Sequence, residues 1–291
     1  EGKMSLAAVN AQAGIKGPLK ELQFVAFDVE TTGLSAIACR LVELSGVKFD
    51  VWHRDVSTFS SLINPGSPIP PEVSKIHGIT DDMVKDAPKA EQVLKDFLHF
   101  ARGGVWLAHN APFDVEFLKI ELLRQKQPLP EVMVLDTLTL AQVVLSGPEN
   151  FKLKTLAEYF GFGGAEYHRA LADSVYVEKL FGKLLEVSHF TTVEELNGTG
   201  ALKSFSDWGR PASREHLPES VKSHICLLEA AIESSSTVKL KYQGEFLSTR
   251  TVQPEAVIES RGSLYLSAYC LKSRAQRTFR VDRIVEAIIN T

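Results

Sequence analysis

The sequence predicts an α/β protein with a mixed β-sheet flanked by helices, followed by a smaller, mostly-β domain. Three strand-like apolar runs come first, between residues 22 and 63, and helices and strands then alternate up to residue 187. After a stretch rich in turn-forming residues, one helix precedes short β-like runs at regular spacing, which is typical of a small barrel. With 291 residues, 44% of them hydrophobic, the chain can bury one large core and a second, smaller one.

The individual elements follow from the period of the apolar residues and from the turn signals between them. The predicted strands of the first domain are 22–29, 41–50, 55–63, 104–109 and 131–135, and its predicted helices are 90–101, 113–126, 137–145, 153–160 and 170–187. In the second domain we predict a helix at 219–233 and strands at 238–242, 248–252, 264–270 and 276–281. The predicted organisation is an N-terminal tail with a vector remnant (1–20), a catalytic domain (21–187), a linker (188–220) and the β-rich domain (221–291).

Composition narrows the functional classes. A net charge of −4 disfavours a protein that coats nucleic acid. An enzyme that acts on nucleic acid needs only a local basic patch to bind its substrate. There is no run of about 18 apolar residues and no signal-peptide pattern at the N-terminus. We therefore expect no membrane partner and a cytoplasmic location.

The strongest chemical signal is a pair of carboxylates at the end of the first predicted strand. Asp28 and Glu30 follow the apolar run that starts at Leu22. Alternate side chains of a strand share a face, so the two carboxylates point the same way. Two neighbouring carboxylates repel each other and resist desolvation, and a hard divalent cation between them would relieve both effects.

Two later segments add acidic residues at the starts of helices. Asp114 falls in the first turn of the helix that follows the apolar run 104–108, where the helix dipole favours a negative charge. Asp173 lies near the start of the predicted helix 170–187, five residues after His168, which is in a loop. Four carboxylates and a loop histidine on one α/β domain match a phosphodiesterase that uses two divalent cations, and oxygen ligands favour Mg²⁺ or Mn²⁺.

At these residues the chain resembles a known family. Residues 22–187 are similar to DnaQ-like 3′–5′ exonucleases of the DEDD class, in the branch with a histidine as the fifth residue (DEDDh), on a ribonuclease H-like fold. The three motifs appear as Phe27–Leu34, His109–Asp114 and His168–Asp173. Segments 76–80 and 135–137 also match sequences typical of the family.

The resemblance implies a role for each motif residue. Asp28, Glu30, Asp114 and Asp173 would hold the two cations, with Asp28 between them, and His168 would be the general base. Thr31 would hold the terminal 3′-hydroxyl, and Leu34 would pack against the end base. The implied reaction is hydrolysis of phosphodiester bonds from the 3′ end to nucleoside 5′-monophosphates. The expected partner is nucleic acid, with single-stranded DNA favoured over RNA, and a replication or repair protein is a further expected partner.

The C-terminal third resembles a WYL domain, a small β-barrel module. The similarity rests on segments 241–244, 250–254, 264–266 and 277–284, although Leu264 stands where the namesake tripeptide has tryptophan. It implies binding of nucleic acid or a nucleotide-like ligand. Five residues are the candidate ligand contacts: Tyr242, Arg250, Tyr265, Arg280 and Arg283.

Two other functions fit the same residues. In one, the chain is a ligand-sensing regulator whose exonuclease domain is a binding scaffold. In the other, it is an accessory subunit of a polymerase or repair complex. All four acidic positions and the histidine are present, and a scaffold has no physical need for mutually repelling carboxylates, so the enzyme is favoured.

Overall fold

A computed structural model describes residues 15–52, 55–162, 169–208, 217–260 and 263–290. The chain folds into two compact units. One is built on a six-stranded sheet and the other on a five-stranded sheet.

The larger sheet is mixed, as the sequence predicts. Its strands are β1 (Gln23–Thr31), β2 (Leu41–Asp50), β3 (Ser57–Leu62), β4 (Gly104–Ala108), β5 (Met133–Asp136) and β6 (Leu202–Ser204). They lie in the order β3-β2-β1-β4-β5-β6. The pairs β1–β4 and β4–β5 are parallel, and the pairs β1–β2, β2–β3 and β5–β6 are antiparallel.

Eight helices accompany this sheet among the described residues. They are α1 (Pro71–His77), α2 (Asp81–Val84), α3 (Ala90–Phe100), α4 (Ala111–Arg124), α5 (Thr137–Val144), α6 (Leu153–Tyr159), α7 (Ala170–Ser188) and α8 (Val193–Gly198). α7 packs on β1 and β2 through an aromatic cluster, in which the ring of Phe181 lies 4.9 Å from that of Phe24 and 6.4 Å from that of Phe49. These rings are buried, so α7 is fixed against the strand that carries Asp28 and Glu30.

The sheet continues beyond residue 187, where the sequence predicts a linker. α8 and β6 lie in that stretch, and β6 pairs with β5. The side chains of Phe205 and Trp208 are buried. Both elements are too short to show a clear periodic pattern, which is why the sequence does not predict them. The remainder of the predicted linker includes residues 209–216, which lie outside the described residues.

The second unit is an all-antiparallel sheet with one helix, which confirms the mostly-β prediction. Its elements are α9 (Glu219–Glu233), β7 (Val238–Gln243), β8 (Leu247–Ser260), β9 (Ser263–Cys270), β10 (Ala275–Arg280) and β11 (Ile284–Ile289), and the strands lie in the order β10-β9-β8-β7-β11. α9 buries Ile225 and Leu228 in the same core as Leu240 and Leu266 from the sheet.

Two strands of the second unit differ from the prediction. β8 extends well past residue 252, because a register shift between Pro254 and Ala256 lets the strand continue through a proline. β11 is not predicted at all. No helix in the described parts of the chain has the length and apolar character needed to cross a membrane.

Candidate active site

The candidate site lies where strands and helix starts of the larger sheet meet. Asp28 and Glu30 are near the end of β1, and β4 runs parallel to β1 and leads directly into α4. The carboxyl ends of parallel strands share one edge of a sheet, so the first turn of α4 is placed beside Asp28 and Glu30. On the other side of β1, Glu30 lies directly opposite Glu43 of β2.

Three carboxylates converge at this edge. Asp28, Glu30 and Asp173 each offer an oxygen, and these oxygens lie within 4.8 Å of one another. Asp173 comes from the first turn of α7. The side chains of Asp28 and Glu30 are partly exposed, so a small ion can reach them. A cluster of oxygen ligands of this size fits a hard divalent cation.

Asp114 lies beside the cluster but is fully buried. Its Oδ1 accepts a hydrogen bond of 3.2 Å from the backbone N–H of Val29, the residue between Asp28 and Glu30. Its charge acts on Asp28 and is among the causes that raise the pKa of that residue. The structure therefore brings all four predicted carboxylates into one neighbourhood, with three forming the closest group.

Crowding and burial make these carboxyls unusually weak acids in the metal-free protein. Burial is the largest cause of the raised pKa of Asp28, and the nearby charges of Asp114, Asp173, Glu30 and Glu43 raise it further. Burial likewise raises the pKa of Glu30 to about 8, with Asp173 and Glu43 adding to the effect and Arg169 opposing it. Burial raises the pKa of Asp114, and the N–H of Val29 partly offsets this. A divalent cation would favour the ionised forms, so the donor set fits the expected cofactor.

Asp136 anchors the loop that leads to Asp114. Its Oδ1 accepts hydrogen bonds from the backbone N–H groups of Asn110 (2.9 Å) and Ala111 (3.1 Å) at the start of α4. It also caps α5 by accepting from Leu138 and Thr139. Asn110, just before α4, has a φ of 71°, in the left-handed region, rather than the extended backbone usual for a helix N-cap.

His109 has a structural role. Its Nδ1 lies 3.0 Å from the hydroxyl of Thr137, and its Nε2 lies 2.8 Å from the carbonyl oxygen of Phe151. Burial lowers its pKa, so the ring is held as a neutral hydrogen-bonding group.

Thr31 and Leu34, the predicted nucleotide contacts, have contrasting environments. The hydroxyl of Thr31 is buried and donates to the carbonyl of Gly33 at 2.7 Å, which shapes the turn after β1. Leu34 is 84% exposed. An exposed leucine of this kind is available for contact with a ligand. His168 lies outside the described residues, so its role stays a prediction.

A fifth acidic residue was not predicted. Glu43 lies in the largely buried strand β2, and its carboxylate pairs with Arg169 and accepts from the backbone of Ala170. The signal was present in the sequence, because a charged residue in a buried strand requires a partner.

The five predicted ligand contacts of the second unit do not form one group. Tyr265 and Arg280 are cross-strand neighbours on β9 and β10, and the backbone N–H of Arg280 donates to the hydroxyl of Tyr242 at 3.2 Å. The Arg280 guanidinium is paired with Asp282. Arg250 is instead directed at the thiol of Cys270. Burial raises the pKa of that thiol, but hydrogen bonds from Ser273, Lys272 and, to a smaller extent, Arg250 outweigh burial and lower the pKa to about 7. Arg283 is exposed.

Comparison with known proteins identifies the first unit. A family model described as Exonuclease (RNase_T) matches residues 25–181, more than half of the chain. The chain belongs to this exonuclease family. A second model, the WYL domain, matches residues 223–289.

Individual relatives agree with this exonuclease assignment. The DNA polymerase III subunit epsilon of Treponema pallidum is 43% identical over 169 residues, which are 57% of this chain and 78% of that protein. The DNA polymerase III PolC-type of Caldanaerobacter subterraneus subsp. tengcongensis is also 43% identical, over 166 residues that are 57% of this chain but only 12% of that protein. The structure of the nuclease domain of 3′hExo, a DEDDh family member bound to rAMP, superimposes with a TM-score of 0.51 at 19% identity, covering 56% of this chain and 92% of that chain.

The predicted family, fold and enzyme class are therefore confirmed. The chain is a DnaQ-like exonuclease with a ribonuclease H-like domain and a C-terminal WYL domain, and it is a nuclease hydrolase. Exonucleases of this family use divalent metals. The domain boundaries, the individual site residues and the cytoplasmic location stay predictions.

Proposed function

We propose that the chain hydrolyses the terminal phosphodiester bond at the 3′ end of a nucleic acid strand and releases a nucleoside 5′-monophosphate. The observation that carries the proposal is the group of carboxylate oxygens of Asp28, Glu30 and Asp173 within 4.8 Å of one another, with Asp114 beside them. This group matches the acidic positions of the DEDDh motifs. Single-stranded DNA is the proposed substrate, and the polymerase subunits among the relatives support a replication partner.

The four carboxylates would hold two Mg²⁺ or Mn²⁺ ions. When bound, such ions stabilise the negative charge that develops on the attacking and leaving oxygens. Asp28, near the end of β1, lies close to both Asp173 and Asp114, so it is the residue proposed to contact both ions. His168 is proposed to take the proton from the attacking water, since an imidazole titrates near neutral pH.

The surroundings of the carboxylates support the proposed preference for a free strand end. Leu34 projects into solvent after β1, where it can pack against the last base. The turn that carries it is closed by a hydrogen bond from the backbone N–H of Thr32 to the carbonyl oxygen of Arg40, at 2.8 Å. Thr31, in the same turn, is proposed to hold the 3′-hydroxyl through its backbone N–H, because its side-chain hydroxyl donates to Gly33.

The test of this function is to determine the end from which a strand is shortened and whether it is shortened one nucleotide at a time. DNA and RNA single strands labelled at the 3′ or the 5′ end are incubated with the protein and Mg²⁺ or Mn²⁺. We expect a ladder of stepwise shorter products from the 5′-labelled strand, a labelled mononucleotide from the 3′-labelled strand, and no product in EDTA. Loss of a mononucleotide from the 5′ end, or cleavage within the strand, would contradict the proposed reaction. No cleavage of either polymer would favour the regulator or accessory-subunit function.

For the WYL domain we propose a contact with the same strand, away from its 3′ end. Tyr265 and Arg280 combine an aromatic ring with a guanidinium on neighbouring strands, which suits base stacking and phosphate binding. A second binding point on one strand raises the effective concentration of the 3′ end at the exonuclease site.

Tyr265→Ala is expected to weaken binding of a long single strand and to leave hydrolysis of a trinucleotide unchanged. Loss of one stacked base costs about 1–3 kcal/mol, or roughly 5- to 150-fold in Kd. Binding is measured by fluorescence anisotropy with a 30-nucleotide strand. Tyr269→Ala, on the same strand but opposite Gln276, is the matched control and should bind like the wild type. An equal loss on the long strand and the trinucleotide would refute the second contact.

A further inference from the structure

The buried carboxylate of Glu43 organises the start of α7. Glu43 is 2% exposed and lies opposite Glu30 in the β1–β2 pairing, so it occupies the same face of the sheet as the carboxylate cluster. It is not one of the three residues whose oxygens form the close group. A buried carboxylate outside the metal-binding group requires a separate explanation.

Three hydrogen bonds supply that explanation. The guanidinium of Arg169 donates to Glu43 through both arms of its fork, at 2.8 Å to Oε1 and 3.3 Å to Oε2. The backbone N–H of Ala170, the first residue of α7, donates to Oε2 at 3.0 Å. Charge-assisted, two-point hydrogen bonds of this kind fix both the distance and the relative orientation of the guanidinium and the carboxylate. A single side chain on β2 therefore holds both the residue before α7 and the first N–H of the helix.

The anchored turn carries Asp173. The backbone N–H of Asp173 donates to the carbonyl oxygen of Arg169 at 3.0 Å, so the position of Arg169 sets where the first turn begins. The side chain of Asp173 then completes the group with Asp28 and Glu30.

We propose that Glu43 is a positioning residue of the exonuclease site, which holds Arg169 and the start of α7 so that Asp173 meets Asp28 and Glu30. The inference rests on the proposed function and extends it to a residue outside the DEDDh motifs. Glu43 is therefore proposed to contact neither substrate nor cation. It acts through Arg169 and Ala170, and Arg169 places a positive charge near a cluster of negative ones.

The proposal is tested with Glu43→Gln, which keeps the size of the side chain but loses one acceptor and the charge. We expect a fall in kcat of about 10- to 100-fold, a rise in the Mn²⁺ concentration for half-maximal activity, and little change in KM for the strand. Mn²⁺ binding to the full chain, measured by calorimetry without nucleic acid, should weaken in parallel. Arg169→Lys keeps the charge but loses the fork, and because Arg169 is 41% exposed this variant should fold readily. It should shift kcat and Mn²⁺ binding in the same direction by a smaller factor.

Ser174→Ala is the matched control for a purely structural contribution. Its hydroxyl also joins α7 to β2, by donating to the carbonyls of Ala170 (2.7 Å) and Ser45 (3.3 Å), but it does not touch Arg169. We expect a lower Tm with unchanged Mn²⁺ binding. Folded Glu43→Gln and Arg169→Lys proteins with wild-type Mn²⁺ binding and kcat would overturn the proposal. An inactive wild type whose Mn²⁺ binding still depends on Glu43 would instead refute the proposed function and leave the positioning role in place.

Discussion

Asp28→Asn is expected to lower the rate of strand shortening by on the order of 10³-fold or more at saturating Mg²⁺. The substitution keeps the shape of the side chain and removes one negative charge from the point where Asp173, Glu30 and Asp114 converge. The loss should be larger than for any other single position, because Asp28 is the proposed contact for both cations. Single-turnover hydrolysis of a 5′-labelled strand measures the effect on chemistry without product release.

A matched control separates the effect of position from that of charge. Asp82→Asn makes the same chemical change on α2, where the side chain is 92% exposed and pairs with Lys85. It should retain wild-type activity, because an exposed pair of this kind contributes little. Asp28→Asn with more than a tenth of the wild-type rate, in a protein that still binds Mn²⁺, would remove Asp28 from the proposed site.

The carboxylate group could be predicted from the sequence because each member lies at a strongly signalled position. Asp28 and Glu30 end an apolar strand, and Asp114 and Asp173 begin apolar helices. The spacing of apolar residues and the turn-forming residues between them locate these strand ends and helix starts along the chain. Parallel strands then bring their carboxyl ends to one edge of the sheet. The grouping of the four carboxylates was predicted from their match to a two-cation phosphodiesterase and from the resemblance to the DEDD motifs.

The supporting contacts could not be predicted in the same way. The pairing of Glu43 with Arg169 joins residues 126 positions apart, and it depends on the exact packing of α7 across β2. Asp136 caps α5 within its own stretch of chain, but its bonds to Asn110 and Ala111 arise only because β4 and β5 are neighbours in the sheet. The local sequence pattern can identify a helix cap, but it does not identify the distant residues to which the capping side chain also hydrogen-bonds.

In the WYL domain, too, the strands could be predicted from the sequence but the contacts between their side chains could not. Alternation identified four of its five strands, but it gave no information on how side chains group across the sheet. Tyr265 and Arg280 meet because of the β9–β10 register, whereas Arg250 reaches Cys270. A contact set taken from family motifs therefore includes arginines that already have a partner within the domain, Arg250 with Cys270 and Arg280 with Asp282.

Glu30→Gln is expected to raise the Tm of the metal-free protein at pH 8. Burial, with the charges of Asp173 and Glu43, raises the pKa of Glu30 from about 4.5 to about 8. An acid whose pKa is raised by folding destabilises the folded state above its unfolded pKa. The free energy of unfolding should therefore fall as the pH rises from about 4.5 to about 8, and glutamine removes this contribution. Because the remaining carboxylates still repel one another, we expect a gain of roughly 1–2 kcal/mol, or about 2–8 °C in Tm.

Added Mn²⁺ should make the wild type more thermally stable than Glu30→Gln at pH 8, the reverse of the order expected without metal. The cation binds the ionised cluster, so it should stabilise the wild type more at pH 8 than at pH 6, whereas Glu30→Gln should gain little at either pH. Thermal unfolding of both proteins, in EDTA and in Mn²⁺ at pH 6 and pH 8, measures these changes in Tm. Glu21→Gln, at an exposed acid just before β1, is the control and should follow the wild type. A metal-free Glu30→Gln protein that is less stable than the wild type at pH 8 would show that Glu30 stabilises the fold. The carboxylate cluster would then be a structural feature, without the charge repulsion that makes it suited to binding cations.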